Sequence, residues 1–293
     1  MSAISKMIRK RFGEGDRKRD AGLTTPENVV RYDDIVYGRS RKWQILDVYR
    51  PKGVEGKLPV IISVHGGGWV YGSKEVYQFY CMNLAQRGFA VVNFTYRLAP
   101  EYHYPACVED TNKVVKWVLK HDEEYGFDLN NVFAVGDSAG GQILSVYSAI
   151  LTNPKFAEEY GLKLPKKFRF NAIGLNCGRY RGDPKETESL SNSLMGEVLP
   201  ADWSGKDLNK LDCVGNVTPD FPPCFIMTSV GDMLKDQPEK LIPDLIRNDV
   251  PFTFRFYGDQ NNRLGHVFHC NIKTADAALC NDEECEFFRK YMK

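Results

Sequence analysis

Apolar and polar positions change rhythm several times along this chain, and each change marks an element. Val29 to Val36 and Trp43 to Tyr49 alternate apolar and polar residues. That period of two belongs to half-buried strands, so the two segments read as an antiparallel pair opening a sheet. The stretch from Pro51 to Pro59 is punctuated by glycine and proline and predicts a connecting loop. Val60-Ile61-Ile62-Ser63-Val64 is then almost continuously apolar, as a strand covered on both faces must be, and it ends at His65-Gly66-Gly67-Gly68-Trp69. Glu75 to Arg87 predicts a helix that stops at Gly88, Ala90 to Phe94 a second buried strand, and Ala106 to His121 another helix. A further strand begins at Asn131 and runs into a helical stretch from Gln142 to Leu151. Asn171 to Leu175, Cys224 to Val230 and Thr253 to Tyr257 predict three more strands, and Ile272 to Met292 a closing helix. Buried strands alternating with helices imply an α/β fold, a mainly parallel sheet with helices on both faces.

Two stretches break the alternation. One is the N-terminal arm, residues 1–28; the other is residues 178–219, a long polar segment interrupted by glycine and proline. Long connections of this kind are commonly lids. The two are therefore expected to form a cap over a catalytic domain made of residues 29–177 and 220–293. Leu194, Met195, Val198, Leu199 and Trp203 supply its apolar surface. An ordinary surface excursion is the plainer alternative. The arm carries Lys6, Arg9, Lys10, Arg11, Arg17, Lys18 and Arg19, with Met7, Ile8 and Phe12 among them. It reads as a solvated helix or frayed arm, the alternative being a helix for a membrane surface or a partner. No apolar core of a signal peptide follows it, and no run approaches the ~20 apolar residues of a membrane span.

Composition narrows the classes further. A chain of 293 residues that is 43% hydrophobic can bury one large α/β core, and a net charge of +1 gives no electrostatic case for nucleic acid. Eight cysteines without a C-x-x-C pair argue against a zinc site and a disulfide framework, and read as buried thiols of a reducing cytoplasm.

The chemistry concentrates at Gly136-Asp137-Ser138-Ala139-Gly140, a G-x-S-x-G pattern between a strand and a helix. In such a turn side chains two before and two after the serine would collide, and the serine hydroxyl is exposed in a strained conformation. Gly67 and Gly68, with Ala139, can turn backbone N–H groups toward a developing oxyanion. A phosphate loop is the competing reading, but no lysine stands at the P-loop position and no G-x-G-x-x-G opens a helix. His65 precedes these glycines and is expected to brace them. Asp232, just past the strand ending near Val230, is the expected acid, with Asp236 the less favoured choice because it should lie in the next helix. His266, beside Gly265 on the loop after the last strand, is the expected base. A metal pair of His266 and His269 lacks a third ligand at sensible spacing. His103 and His121 read as loop and helix-surface residues.

With the order Ser138, Asp232, His266 and both glycine motifs, the sequence resembles an α/β-hydrolase, and more narrowly the hormone-sensitive-lipase-like esterase family. Tyr96-Arg97-Leu98-Ala99-Pro100-Glu101 to Asp110 matches a third signature of that family, whereas its Asp-Pro-Leu stands here as Asp232-Met233-Leu234 and its His-Gly-Phe as His266-Val267-Phe268. The resemblance covers about residues 40 to 292. It implies an eight-stranded sheet, a small cap, and a cytoplasmic esterase without cofactor or metal, working on a small-molecule ester. Short acyl groups, acetyl to butyryl, are expected, with Trp69, Tyr71 and the aromatics up to Tyr80 lining the acyl pocket. Acetylated saccharides are one substrate class this leaves open. A formamidase or amidase using the same triad, and a non-catalytic ligand-binding member of the fold, are the alternatives. No nucleic acid and no stable membrane association are expected, and a homodimer is left open. Pro243 is expected to disturb the helix after Asp232.

Overall fold

A computed structural model describes residues 3–182, 191–202 and 207–293. Eight strands make one sheet: β1 (Val29–Val36), β2 (Ile45–Pro51), β3 (Leu58–Val64), β4 (Ala90–Thr95), β5 (Phe127–Asp137), β6 (Ala172–Asn176), β7 (Cys224–Ser229) and β8 (Phe252–Tyr257). Their order is β1-β2-β4-β3-β5-β6-β7-β8. β1 pairs antiparallel with β2 and β2 with β4, while every other neighbouring pair is parallel. The helices are α1 (Ala3–Asp20), α2 (Lys74–Ala85), α3 (Ala106–Lys120), α4 (Asp122–Tyr125), α5 (Ala139–Thr152), α6 (Pro154–Tyr160), α7 (Ser191–Val198), α8 (Pro238–Arg247) and α9 (Ala275–Arg289).

The sheet's period of two divides the core. Val60, Ile62 and Val64 of β3 pack with Val114 and Val118 of α3 and with Ile143 and Val146 of α5. Ile61 faces the other way, into a cluster with Leu84 of α2 and Phe288 of α9. Both faces are thus covered, which is why the central strands are apolar throughout. All eight cysteines are buried and unpaired. No helix among the described residues is long and apolar enough to cross a membrane.

Several boundaries differ from expectation for local reasons. β5 starts at Phe127, four residues before Asn131. Its early part is polar because Asp128 accepts from the Asn130 N–H and the Asn131 side chain, a turn-like kink that interrupts the register between Pro59 and Val60 of β3. α9 begins at Ala275, where the Thr274 hydroxyl accepts the Ala277 N–H, so Ile272 and Lys273 precede the cap. α8 runs through Pro243, which is exposed. The backbone bond that proline cannot make is therefore lost on the wet side of a ten-residue helix. Trp203 lies outside the described residues.

Candidate active site

β5 ends at Asp137 and α5 begins at Ala139, leaving Ser138 alone in the turn with φ 51° and ψ −117°. A left-handed φ at a non-glycine residue costs about 1–3 kcal/mol. The Ser138 N–H donates to Asn176 O (3.0 Å) and Ser138 O accepts the Arg179 N–H (3.2 Å), so the neighbouring β6 end holds the turn. A Cβ on Gly136 would stand 2.5 Å from Gly140 O, and one on Gly140 would stand 2.0 Å from Val64 O. Only glycine fits either place.

Asp232 follows β7 by three residues, beyond the same sheet edge. Its Oδ1 accepts the Leu234 N–H (2.9 Å) and its Oδ2 the Thr228 hydroxyl (2.8 Å). The loop carrying His266 is tied to β7 through Leu264 O, which accepts from Gly231 N–H (2.8 Å) and Ser229 Oγ (3.0 Å). His266 Nδ1 stands 2.6 Å from Asp232 Oδ1, and His266 Nε2 stands 3.0 Å from Ser138 Oγ. Burial works to raise the Asp232 carboxyl, but its hydrogen bonds, that of His266 foremost, together with the His266 charge hold that group below its ordinary value. Asp236 lies in the turn before α8 rather than within a helix, and among the described residues His266 pairs with Asp232 instead.

The glycine loop is braced from beneath. Gly66 N–H is shared between Tyr77 Oη (3.0 Å) and Asp137 Oδ1 (3.2 Å), while Tyr77 Oη–H donates to Asp137 Oδ2 (2.6 Å). Burial lifts the Asp137 carboxyl to about 6. His65 Nδ1 meets Gly66 O (2.7 Å), and its ring stacks on Tyr96 with centroids 4.0 Å apart. Burial depresses this imidazole to about 4, so it stays neutral at physiological pH, as a brace rather than a base. Gly67 has φ 117°, a conformation closed to residues with a side chain. The N–H groups of Gly67, Gly68 and Ala139 donate to no protein acceptor among the described residues.

A cavity of about 280 Å³ opens onto Ser138 and His266, with Gly66, Gly67, Tyr71 and Tyr77 in its wall. Trp69 is not part of that wall. Its left-handed backbone (φ 62°) turns the indole into the core, where Nε1–H donates to Gln142 Oε1 (2.9 Å). Much of the opposite wall is α1, through Arg11, Phe12, Gly15, Asp16 and Arg19. Asp16 is held by Arg19 (2.9 Å) and by the Tyr71 hydroxyl (2.7 Å), and Phe12 meets Tyr71 edge-on. Sequence reasoning missed Asp137 and Asp16 as parts of the site, and it placed Tyr77 among the pocket aromatics without its role beneath Gly66. Only Asp137, inside the serine motif, carried a local signal. A larger polar cleft of about 510 Å³, lined in part by Phe156, Asp212 and Asp244, shares no residue with the first.

The remaining histidines stand elsewhere. His103 lies in a loop against Glu197 O (3.0 Å), and His121 caps α3 stacked on Trp117. His269 is buried in a short 3-10 turn, Phe268–Cys270, ahead of α9, with its ring against Tyr80. The three-donor cluster among the described residues is Cys177, Asp232 and His266, without His269.

This fold, with a serine at the strand–helix elbow and a histidine and an aspartate from later loops, defines an α/β-hydrolase of the hormone-sensitive-lipase-like group. Residues 46–234 match the BD-FAE family model, and the chain belongs to that family. Among curated relatives, versiconal hemiacetal acetate esterase of Dothistroma septosporum is 36% identical over 40% of this chain and 35% of its own length. Esterase LipI of Mycobacterium tuberculosis is 41% identical over 31% of this chain and 29% of its own length. The match thus spans about a third of these relatives. Among solved structures, esterase B of Lactobacillus rhamnosis, in a C6-C4 SN3 inhibited form, superposes with TM-score 0.90 at 25% identity, covering 99% of this chain and 96% of that one.

Proposed function

We propose that this protein is a serine carboxylesterase that cleaves short-chain esters through an acyl-enzyme. The observation that carries this reading is the unbroken chain from Asp232 through His266 to Ser138, 2.6 and 3.0 Å long, ending at a cavity. The esterase names of the relatives support it.

Asp232 fixes the tautomer of His266 and balances the charge that the ring acquires. His266 Nε2 takes the Ser138 proton as Oγ attacks the ester carbonyl. The carbonyl oxygen becomes an oxyanion, received by the N–H groups of Gly67, Gly68 and Ala139. His266 returns its proton to the departing alcohol, and water repeats the sequence to release the acid. Loss of one oxyanion donor typically costs roughly 100- to 1,000-fold in rate. α1 and α7 act as the cap: Ser5 Oγ donates to Glu197 (2.6 Å), and Tyr104 N–H to Val198 O (2.8 Å), joining α7 to both the arm and the catalytic domain.

A cavity of about 280 Å³ suits acyl groups from acetyl to butyryl. Hydrolysis of p-nitrophenyl esters from acetate to dodecanoate tests this, with Ser138→Ala beside the wild type. Turnover should peak at or below butyrate and vanish in the variant. A peak at dodecanoate would refute the short-chain assignment. An acetylated xylo-oligosaccharide in the same assay shows whether sugar acetates are among the substrates.

A further inference from the structure

We propose that Arg11 is a specificity-determining residue of this site, and that the esters cleaved here carry a carboxylate away from the scissile bond, which its guanidinium receives. The inference rests on the esterase reading above and adds a substrate class to it.

Arg11, Phe12, Gly15, Asp16 and Arg19 line the cavity that opens onto Ser138. Their spacing is that of one helix face, so α1 presents a continuous surface to the nucleophile. The helix is fixed there. Arg9 donates to Val70 O (2.7 Å) and Ala99 O (3.0 Å) and pairs with Glu101 (2.7 Å), and the Tyr71 hydroxyl donates to Asp16 (2.7 Å). Arg11 is thus carried on a braced element rather than on a loose arm.

The charges of the wall decide what it can take. Asp16 and Arg19 pair at 2.9 Å, and Arg19 also grips Asp20 (2.7 Å). Asp137 accepts from the Tyr77 hydroxyl (2.6 Å) and the Gly66 N–H (3.2 Å), and His266 is engaged by Asp232 and Ser138. Arg11 remains. Among the described residues it has neither an ion pair nor a hydrogen-bonded acceptor, not even Glu14 three positions further along α1. An opening lies beside it, because its i+4 neighbour is Gly15, where a Cβ would meet nothing within 4 Å. Phe12, Met233 and Val267 add apolar wall. An uncharged ester would leave the guanidinium without a partner in this cavity. A carboxylate matches its planar fork through two parallel N–H···O bonds. Since Arg11 is exposed, the pairing should weaken as salt screens it.

The test measures kcat/KM for two pairs of esters, each with a charged and an uncharged member. 4-Acetoxybenzoate against 4-acetoxybenzamide places the carboxylate on the alcohol side; methyl hydrogen succinate against methyl butyrate places it on the acyl side. In at least one pair the charged-to-uncharged ratio should fall roughly 3- to 10-fold in Arg11→Gln, a value between an exposed ion pair and a hydrogen bond to a charged group. Arg11→Lys should keep part of that ratio and Arg11→Glu should lower it further. About 0.5 M salt should lower it in wild type more than in Arg11→Gln. The pair that responds tells which side of the ester carries the anion. Ratios left intact in both pairs by Arg11→Gln and Arg11→Glu would overturn the inference. Absence of turnover of all four esters would count against the esterase reading instead. Titration with 4-hydroxybenzoate and 4-hydroxybenzamide, followed by NMR, then decides the role of Arg11. A preference for the carboxylate that is lost in Arg11→Gln supports it, and equal preferences in wild type and variant overturn it.

Discussion

The nucleophile's turn shows how little room the chemistry leaves at single positions. Gly140 lies so close to Val64 O that an added methyl would stand 2.0 Å away, against backbone that cannot swing aside. Gly140→Ala should therefore lower stability by at least about 1–3 kcal/mol, the usual penalty for forcing atoms into a packed core, and thermal unfolding measures it. Tyr77 is a different case. Its hydroxyl joins Asp137 to the Gly66 N–H, so Tyr77→Phe leaves a buried carboxylate short of a donor and the glycine loop less firmly held. We expect kcat to fall roughly 10-fold, about the value of one hydrogen bond to a charged group, with KM little changed. Steady-state kinetics on a short ester will show it. Residues of this kind divide by legibility. Ser138, Asp232 and His266 could be read because strand ends and glycines locate them in one dimension. Asp16 could not, nor could the bond from Tyr77 to Asp137, because these contacts join segments 55 and 60 residues apart.

Among the elements, α9 couples burial to titration. Its Glu284 is buried beneath β6, accepting from Asn176 Nδ2 (2.9 Å) and the Tyr80 hydroxyl (3.3 Å), over Gly174, where a Cβ would meet its carboxylate at 1.9 Å. Burial lifts this carboxyl from 4.5 to about 7, against the smaller opposing effect of those hydrogen bonds. The folded protein thus binds the proton more tightly than the unfolded chain. That contribution to stability is complete below about pH 4.5 and is lost as pH rises through about 7. Unfolding of wild type and Glu284→Gln across this range should show the variant with the flatter profile; parallel profiles would contradict the assignment. The strands were legible by apolar runs or alternation and the longer helices by their pattern and stops, but the short α4 and α6 were not. The start of β5 was not, because Asp128 and Asn130 make a strand look like a loop. Trp69 was misplaced for a related reason: a left-handed φ beside the glycines reverses where a side chain points, and sequence pattern does not carry that sign.

At the scale of the molecule, one sheet edge gathers Ser138, Asp232 and His266, and the N-terminal helix lines the cavity that opens onto them. α1 buries only Ser5 and Gly13, and polar contacts hold it: Arg9 to Val70 O (2.7 Å) and Ala99 O (3.0 Å), Arg19 to Val76 O (2.6 Å). A chain lacking residues 1–21 should fold with a small loss of stability, yet with a cavity open on one side. Its KM for the butyrate ester should rise several-fold while kcat changes less; an unchanged KM would remove α1 from the substrate site. The mainly parallel sheet, its antiparallel opening and the serine at a strand end followed from the alternation of strands and helices; the order of the strands did not. The arm's share in a cap was an expectation, but which α1 residues line the cavity was not, since its basic pattern matches a solvated helix equally well. The account as a whole stands on Ser138 being the nucleophile that His266 and Asp232 activate. The most direct measurement is the mass of the protein after incubation with a p-nitrophenyl butylphosphonate, followed by peptide mapping. The account predicts a single phosphonyl adduct on the peptide bearing Ser138, absent in Ser138→Ala and greatly slowed in His266→Ala. An adduct elsewhere, or none on a folded protein, would contradict it.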